Sequence, residues 1–477
     1  MEDRSSLKKQ EFAKLKDLYS KHPELFKLET FIDDEHVLRS VGIELPNKAH
    51  YPLGYLKLWP QDFIVEEVNP SGEVYTITAE NLISDGYIVD PSHSTIYATL
   101  VKCGISTIEA MRDLSSALNC KEDQIQYAGI KDKEAITSQR ISFRNIPIEK
   151  IKAINSEHFF LKDVVSGKGV VQKSQLKGNQ FTILIRTEKD FTDGEKFQIF
   201  IDNLKKVKQE GFYNFYYLQR FGTPRLNNYL WAISILKGDY KQAIIDLLSD
   251  GRERELGFFK YFREDLSVHM NDWQYIVDFL KQYPLLFPTE LKVSEYLLNH
   301  PEDYIGALNQ IPDQVQLWMY ALSSYLFNKK LSDAAVHRKL LPKELPLFLS
   351  FKSEDWQPYI SYLKELGIYP PQFNNLKPFP FLQLRTRMVA TNEHPEIKDA
   401  QITDKGILLT FFLQKGEYAT TFLSHLFNLA SSKVPESISD EALSPEYFGG
   451  KNIKKTLEYF QPILHSKTEN FFKDEIS

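Results

Sequence analysis

The sequence predicts an α+β fold interrupted by a large insertion. Three observations predict it. The 477 residues exceed what one ordinary core organises, so two large units or a domain with a long insertion are expected. Segments of strand and helix character run to about Arg186, mostly helical ones follow from about Leu226 to Leu331, and strand character returns from Leu376. Strands, then helices, then strands suit an α+β domain split by an insertion. The apolar share of 42% and charged share of 26% fit a soluble globular chain.

Residues 1–45 are charged and helix-prone, with Phe12, Leu15 and Leu18 at helical spacing. In YLKLWPQDFIVEEV (Tyr55 to Val68), Pro60 breaks the chain, and Phe63, Val65 and Glu67 then share one strand face. The charged tail predicts a sheet edge or a site rim. STIE at Ser106–Glu109 reads as a capping box. It opens a helix with Ile108, Met111, Leu114 and Leu118 on one face. LKGN (Leu176–Asn179) reads as a turn before the half-buried strand FTILIR. Helices are expected through Trp318–Leu331. PLFLSF is a candidate strand and WQPYISYLKEL a helix. Near the end, ILLTFFLQKGEYATTFLSHLF reads as strand, a turn at Gly416, and helix.

The net charge of −6 hides an asymmetry. Lys121 to Arg186 holds 12 Lys and Arg against 7 Asp and Glu, whereas Trp231 to Gln310 holds 8 against 13. A basic segment can hold a polyanion despite an acidic average, and it can equally be a solvated face. Cys103 and Cys120 have no CxxC spacing, which suggests neither a zinc site nor a disulfide framework and fits a reducing compartment. The first residues form no long apolar run, so neither a signal peptide nor a membrane span is expected. A phosphate-binding GxxxxGK[ST] loop, a GxGxxG, an HExxH and a GxSxG are all missing. Nucleotide, dinucleotide, zinc-protease and α/β-hydrolase chemistry are therefore disfavoured, and no cofactor is expected.

Three clusters could carry chemistry. In YAGIKDKEAITSQRISF (Tyr127–Phe143), Lys131 and Asp132 adjoin. A carboxylate that stays ionised while partly desolvated can act as nucleophile or base, and a nearby cation favours that state. Adjacent residues on an extended chain point apart, so a lysine from elsewhere, such as Lys57, suits Asp132 better. Alone, the pair reads as a solvated turn. GFYNFYYLQRFG (Gly211–Gly222) holds six aromatics with Asn214, Gln219 and Arg220. Aromatics stack on unpaired bases and amides read their edges, Arg clamps phosphates, and a core strand is the plainer alternative. FFLQKGEYATTFL (Phe411–Leu423) offers a charged turn and a helix start that could suit an anion, or an ordinary strand–turn–helix.

Together, in this order, these clusters resemble the TruD family of RNA pseudouridine synthases, in its archaeal and eukaryotic-like branch. AGIKDKEAITSQ (Ala128–Gln139) is similar to that family's A-G-x-K-D-x-x-A-x-T-x-Q. LKLWPQDFIVEE (Leu56–Glu67), KGNQFTILIR (Lys177–Arg186), YALSSYLFN (Tyr320–Asn328) and FFLQKGEYATTFL resemble further family segments. The resemblance spans about residues 40 to 430. NFYYLQRFG departs from the family's N-Y-F-G-x-Q-R-F-G: Tyr217 stands where the family has glycine. Glu417 stands where it often has serine.

The resemblance implies isomerisation of a uridine to pseudouridine in RNA, tRNA first and other RNAs open, by base flipping and without a cofactor. It implies Asp132 as the catalytic carboxylate and Lys57 as its ion-pair partner. Lys131, Asn214 and Tyr216 would support the site, and Arg220, Gln139 and Lys177 would bind RNA. It implies a catalytic domain, 46–227 with 393–477, whose mixed, largely antiparallel sheet is flanked by helices. An α+β domain, 228–392, is inserted, and 1–45 is an N-terminal helical extension. No metal or membrane is implied. A monomer in the cytoplasm, or the nucleus of a eukaryote, is the simplest expectation. A catalytically inactive RNA-binding protein on the same fold is the alternative, and a two-carboxylate glycosidase using Asp132 with Glu66 or Glu67 is a more distant one.

Overall fold

The computed structural model describes residues 4–83, 89–90, 92–173, 175–347, 353–448 and 451–467. The chain forms two compact units, 50–212 with 394–477, and 1–49 with 213–393.

The first unit is built on one mixed sheet. Its strands are β1 (Leu53–Tyr55), β2 (Phe63–Val68), β3 (Thr95–Lys102), β4 (Ile125–Tyr127), β5 (Ile136–Arg144), β6 (Phe159–Gly167), β7 (Gly178–Arg186), β8 (Glu396–Thr403), β9 (Gly406–Gln414) and β10 (Asn428–Ser432). The order is β10-β1-β7-β2-β5-β3-β6; β9 also lies along β7, β8 pairs with β9, and β4 pairs with β5. Among these strands, only β10–β1 and β2–β5 run parallel. The helix Thr107–Leu118 covers one face through Met111, Leu114 and Leu118 against Leu100, Ile141 and Phe143. Ile453 and Phe460 of the helix Lys451–Phe460 cover Ile64, Val101 and Ile136 on the other.

Several local expectations need correction. β2 is no edge: it lies between β7 and β5, and every residue in it is buried. Its carboxylates are tolerated because each is partnered: Glu67 pairs with Lys131, while Glu66 accepts the Ile77 N–H and a Gln180 amide N–H. Asp62, just before β2, grips Arg186 at the end of β7 through two bonds of 2.7 and 3.0 Å, both side chains fully buried. That fork accounts for an aspartate in LWPQDF and an arginine closing FTILIR. The Ser106–Glu109 capping box is present, but Ile108 is exposed. β7 begins at Gly178, inside the expected turn. A Cβ there would meet the Leu413 carbonyl oxygen at 2.1 Å, so glycine permits the approach of β9.

The second unit is mainly helical. Its longest helix, Pro312–His337, buries residues around most of its circumference, as a helix inside a bundle must. Trp318 on it meets Trp231 edge to face at 4.8 Å. Asp239, Asp272 and Asp303 each accept an N–H in the first turn of a helix, at 3.1, 3.0 and 2.8 Å. Part of the acidic excess of 231–310 is thus helix capping. The unit includes strand Glu344–Leu347 paired with Arg387–Ala390. The rest of the PLFLSF candidate, 348–351, lies outside the described residues. LKPFPFLQLRTRMVA is extended only over its last four residues, and the helix expected over WQPYISYLKEL is broken by a 3-10 turn at Gln357–Tyr359.

The two compact units divide the chain at 49/50, 212/213 and 393/394. The N-terminal segment is grouped with the helical unit. Glu11 on helix Arg4–Lys21 accepts the N–H groups of Leu285 and Leu286, each at 2.9 Å. Residues 213–222 join that unit because Asn328 holds both backbone groups of Tyr216, each at 2.9 Å.

Candidate active site

Asp132 lies in the loop between β4 and β5. Its Oδ2 accepts the Lys57 ammonium, and its Oδ1 accepts the Glu134 N–H at 3.0 Å. Lys57 follows β1 with φ of 58°, a left-handed conformation that costs a residue with a Cβ roughly 1–2 kcal/mol. The ammonium lies 4.6 Å from the Phe63 ring centroid. Phe63 meets Phe181 edge-on, and Phe181 stacks on Phe411 at 5.3 Å. Burial alone would push the Asp132 carboxyl up. The Lys57 charge and hydrogen bond, the Glu134 N–H and the Lys102 charge together outweigh it and hold the group below its ordinary range. Its side chain remains about one third exposed, at 33%, so an ionised carboxylate is presented to an approaching molecule.

Lys131 turns the other way. Its ammonium is buried in an ion pair with Glu67 at 2.9 Å and a bond to Asn179 at 2.9 Å. It serves the loop, and the adjacent lysine and aspartate have separate partners. Gln139, expected as an RNA contact, is wholly buried and braces the loop. Its amide N–H donates to the Gly129 carbonyl at 3.0 Å, and its oxygen accepts the Thr107 hydroxyl at 2.9 Å. Thr107 in turn accepts the Lys131 N–H at 2.9 Å. Sequence reasoning missed Thr107, Asn179 and Lys102, because nothing in their spacing marks a buried polar brace. Glu66 and Glu67 are committed to internal partners, which removes the second carboxylate a glycosidase needs. Glu417 accepts the Gln414 N–H at 3.0 Å, so a carboxylate stands where an anion was expected. Lys177 is exposed, its ammonium 5.6 Å from the Phe412 ring centroid.

Asn214, Tyr216 and Arg220 belong to the helical unit. The Asn214 amide donates to the Ala390 carbonyl at 3.1 Å. The Tyr216 ring meets Phe327 edge-on at 5.7 Å, and the Arg220 guanidinium lies 5.0 Å from its centroid. The NFYYLQRFG and YALSSYLFN segments are thus joined by Asn328, just as LKLWPQDF, AGIKD and KGNQ are joined around Lys131 and Asp132 in the other unit. Gly222 has φ of 82°, and a Cβ on it would lie 2.4 Å from the Asn228 amide oxygen, which explains a glycine there. Tyr217 is buried, and its hydroxyl donates to Asp33 Oδ2 at 2.7 Å. Asp33 Oδ1 accepts from Arg254 at 2.8 Å. The side chain that replaces the family's glycine anchors the N-terminal segment.

The mixed sheet, with Asp132 on a braced loop before a central strand, has the fold of a pseudouridine synthase. The fold matches a crystal structure from Methanosarcina mazei described as a tRNA pseudouridine synthase D (TruD). The TM-score is 0.62 at 23% identity, covering 82% of this chain and 97% of that one. Residues 50–344 match the model of the family described as tRNA pseudouridine synthase D (TruD). The chain belongs to the TruD family. Relatives include a Methanopyrus kandleri protein named "Probable tRNA pseudouridine synthase D". It is 29% identical over 353 residues, 70% of this chain and 85% of the relative. A Methanococcus vannielii protein of the same name is 28% identical over 289 residues, 59% of this chain and 68% of the relative. Among the described residues, no helix is long and apolar enough to cross a membrane.

Proposed function

We propose that this protein isomerises one uridine of a tRNA to pseudouridine with Asp132 as the catalytic carboxylate. The reading is carried by the Lys57–Asp132 pair: a partly buried carboxylate kept ionised chiefly by the Lys57 ammonium and left open on one side. The reaction breaks the N1–C1′ bond, turns the uracil, and joins C5 to C1′; the proton lost from C5 is balanced by the one gained at N1. Nothing is oxidised or added. Attack on C1′, attack on the base and removal of the C5 proton all need the ionised carboxylate. Lifting the uridine from its stack costs a few kcal/mol. The sheet unit would be the catalytic domain. On it, exposed Lys177 would take a phosphate.

The test uses unmodified tRNA transcripts with the wild type and Asp132→Asn, mapping pseudouridine and measuring RNA affinity. The wild type should modify one site. The variant should not, while its affinity stays within about tenfold, or ~1.4 kcal/mol. Near-wild-type activity in the variant would sink the assignment of Asp132. Binding of RNA by both without modification would favour the inactive RNA-binding alternative.

A further inference from the structure

Lys102 is the last residue of β3, and it lies outside every segment on which the family resemblance rests. Its side chain is fully buried. The ammonium donates to two backbone carbonyls, that of Ile105 at 2.8 Å and that of Asp132 at 2.6 Å. The two carbonyls accept two of its three N–H groups but do not neutralise its charge. A buried ammonium is expensive to fold, and a methionine would fill the place at less cost. The position therefore asks for something packing does not supply.

What the ammonium joins is informative. Ile105 leads into the helix Thr107–Leu118, whose Thr107 already braces the loop from the Lys131 side. Asp132 is the residue that must be aimed. The bond to its carbonyl leaves the carboxylate free for Lys57 and the Glu134 N–H.

We propose that Lys102 is a positioning residue for Asp132: its buried ammonium ties the Asp132 carbonyl to the Ile105 carbonyl, sets the direction of the carboxylate, and adds a second positive charge beneath it. The proposal rests on the reading of Asp132 as the reacting carboxylate. The charged and titratable groups facing Lys102 are Asp132, Cys103, Glu109 and, opposing them, Lys131. Burial brings Lys102 down to about 8, with the Asp132 charge the leading influence against it. The device is therefore charged at neutral pH and is lost on the alkaline side.

The experiment follows single-turnover pseudouridine formation on an unmodified tRNA transcript against pH, for the wild type and Lys102→Met. Alongside it, the Asp132 carboxyl carbon is titrated by NMR in both proteins without RNA. The wild-type rate should fall through a limb near pH 8. The variant should be slower by about thirtyfold at neutral pH with unchanged RNA affinity, should lack that limb, and should titrate Asp132 at higher pH. A wild-type rate flat between about pH 7 and 9 overturns the proposal even if the variant does not fold. So does a variant that keeps the limb, or an Asp132 titration that does not move. A protein that shows the NMR shift but makes no pseudouridine supports the coupling and overturns the reading of the reaction.

Discussion

At the residue scale, the proposed chemistry rests on the charge balance at Asp132. Asp132 is buried enough to lose hydration and exposed enough to be reached, and Lys57 decides which of its protonation states prevails. Its folded pKa lies below the ~3.9 of an unfolded aspartate. The pair therefore stabilises the fold above about pH 4 and is lost as pH falls through the folded value. Lys57→Met should raise the Asp132 pKa, because it removes the charge and hydrogen bond that hold it down. The acid limb of the rate profile should move up with it, and the rate should fall most at low pH. A rate profile unchanged by the substitution would make Lys57 a structural residue. The partnership was readable from the family pattern. The left-handed backbone that turns Lys57 toward Asp132 was not, since φ at a lysine leaves no mark in its neighbours.

At the element scale, a loop that carries a reacting group must not wander. Gly129, Lys131 and Asp132 are each fixed by different side chains: Gln139, Thr107 with Glu67 and Asn179, and Lys102. Gln139→Leu leaves the Gly129 carbonyl and the Thr107 hydroxyl without this partner. It should cost about 1–3 kcal/mol in denaturant unfolding and slow turnover with little change in RNA affinity. Weakened RNA binding at full stability would instead restore Gln139 as an RNA contact. The capping box, the strand β7 and the strand–turn–helix after Phe411 were legible because local rules govern them. Ile108 and β2 misled for one reason: periodicity says which residues share a face, while the neighbouring elements decide which faces are covered.

At the scale of the whole molecule, the N-terminal segment is built into the helical unit through Glu11 and through the buried Asp33–Tyr217–Arg254 set. Tyr217→Phe removes one donor from a buried carboxylate. It should lower stability by about 1–3 kcal/mol, read as a drop in the melting temperature of the full chain. An unchanged melting temperature would show the anchor to be idle. The family model begins at residue 50, beyond Asp33, so this anchor uses a residue outside the family match together with the one that departs from the family's glycine.

The sequence by itself determined the family, the reacting carboxylate to test and the α+β class, because a dense run of fixed residues around Asp132 and a strand–helix–strand order are written in one dimension. Only the tertiary structure decided the partners of Lys102, Thr107, Gln139 and Tyr217. A buried polar group is explained by what it bonds to. Those partners come from distant elements whose meeting no local spacing records.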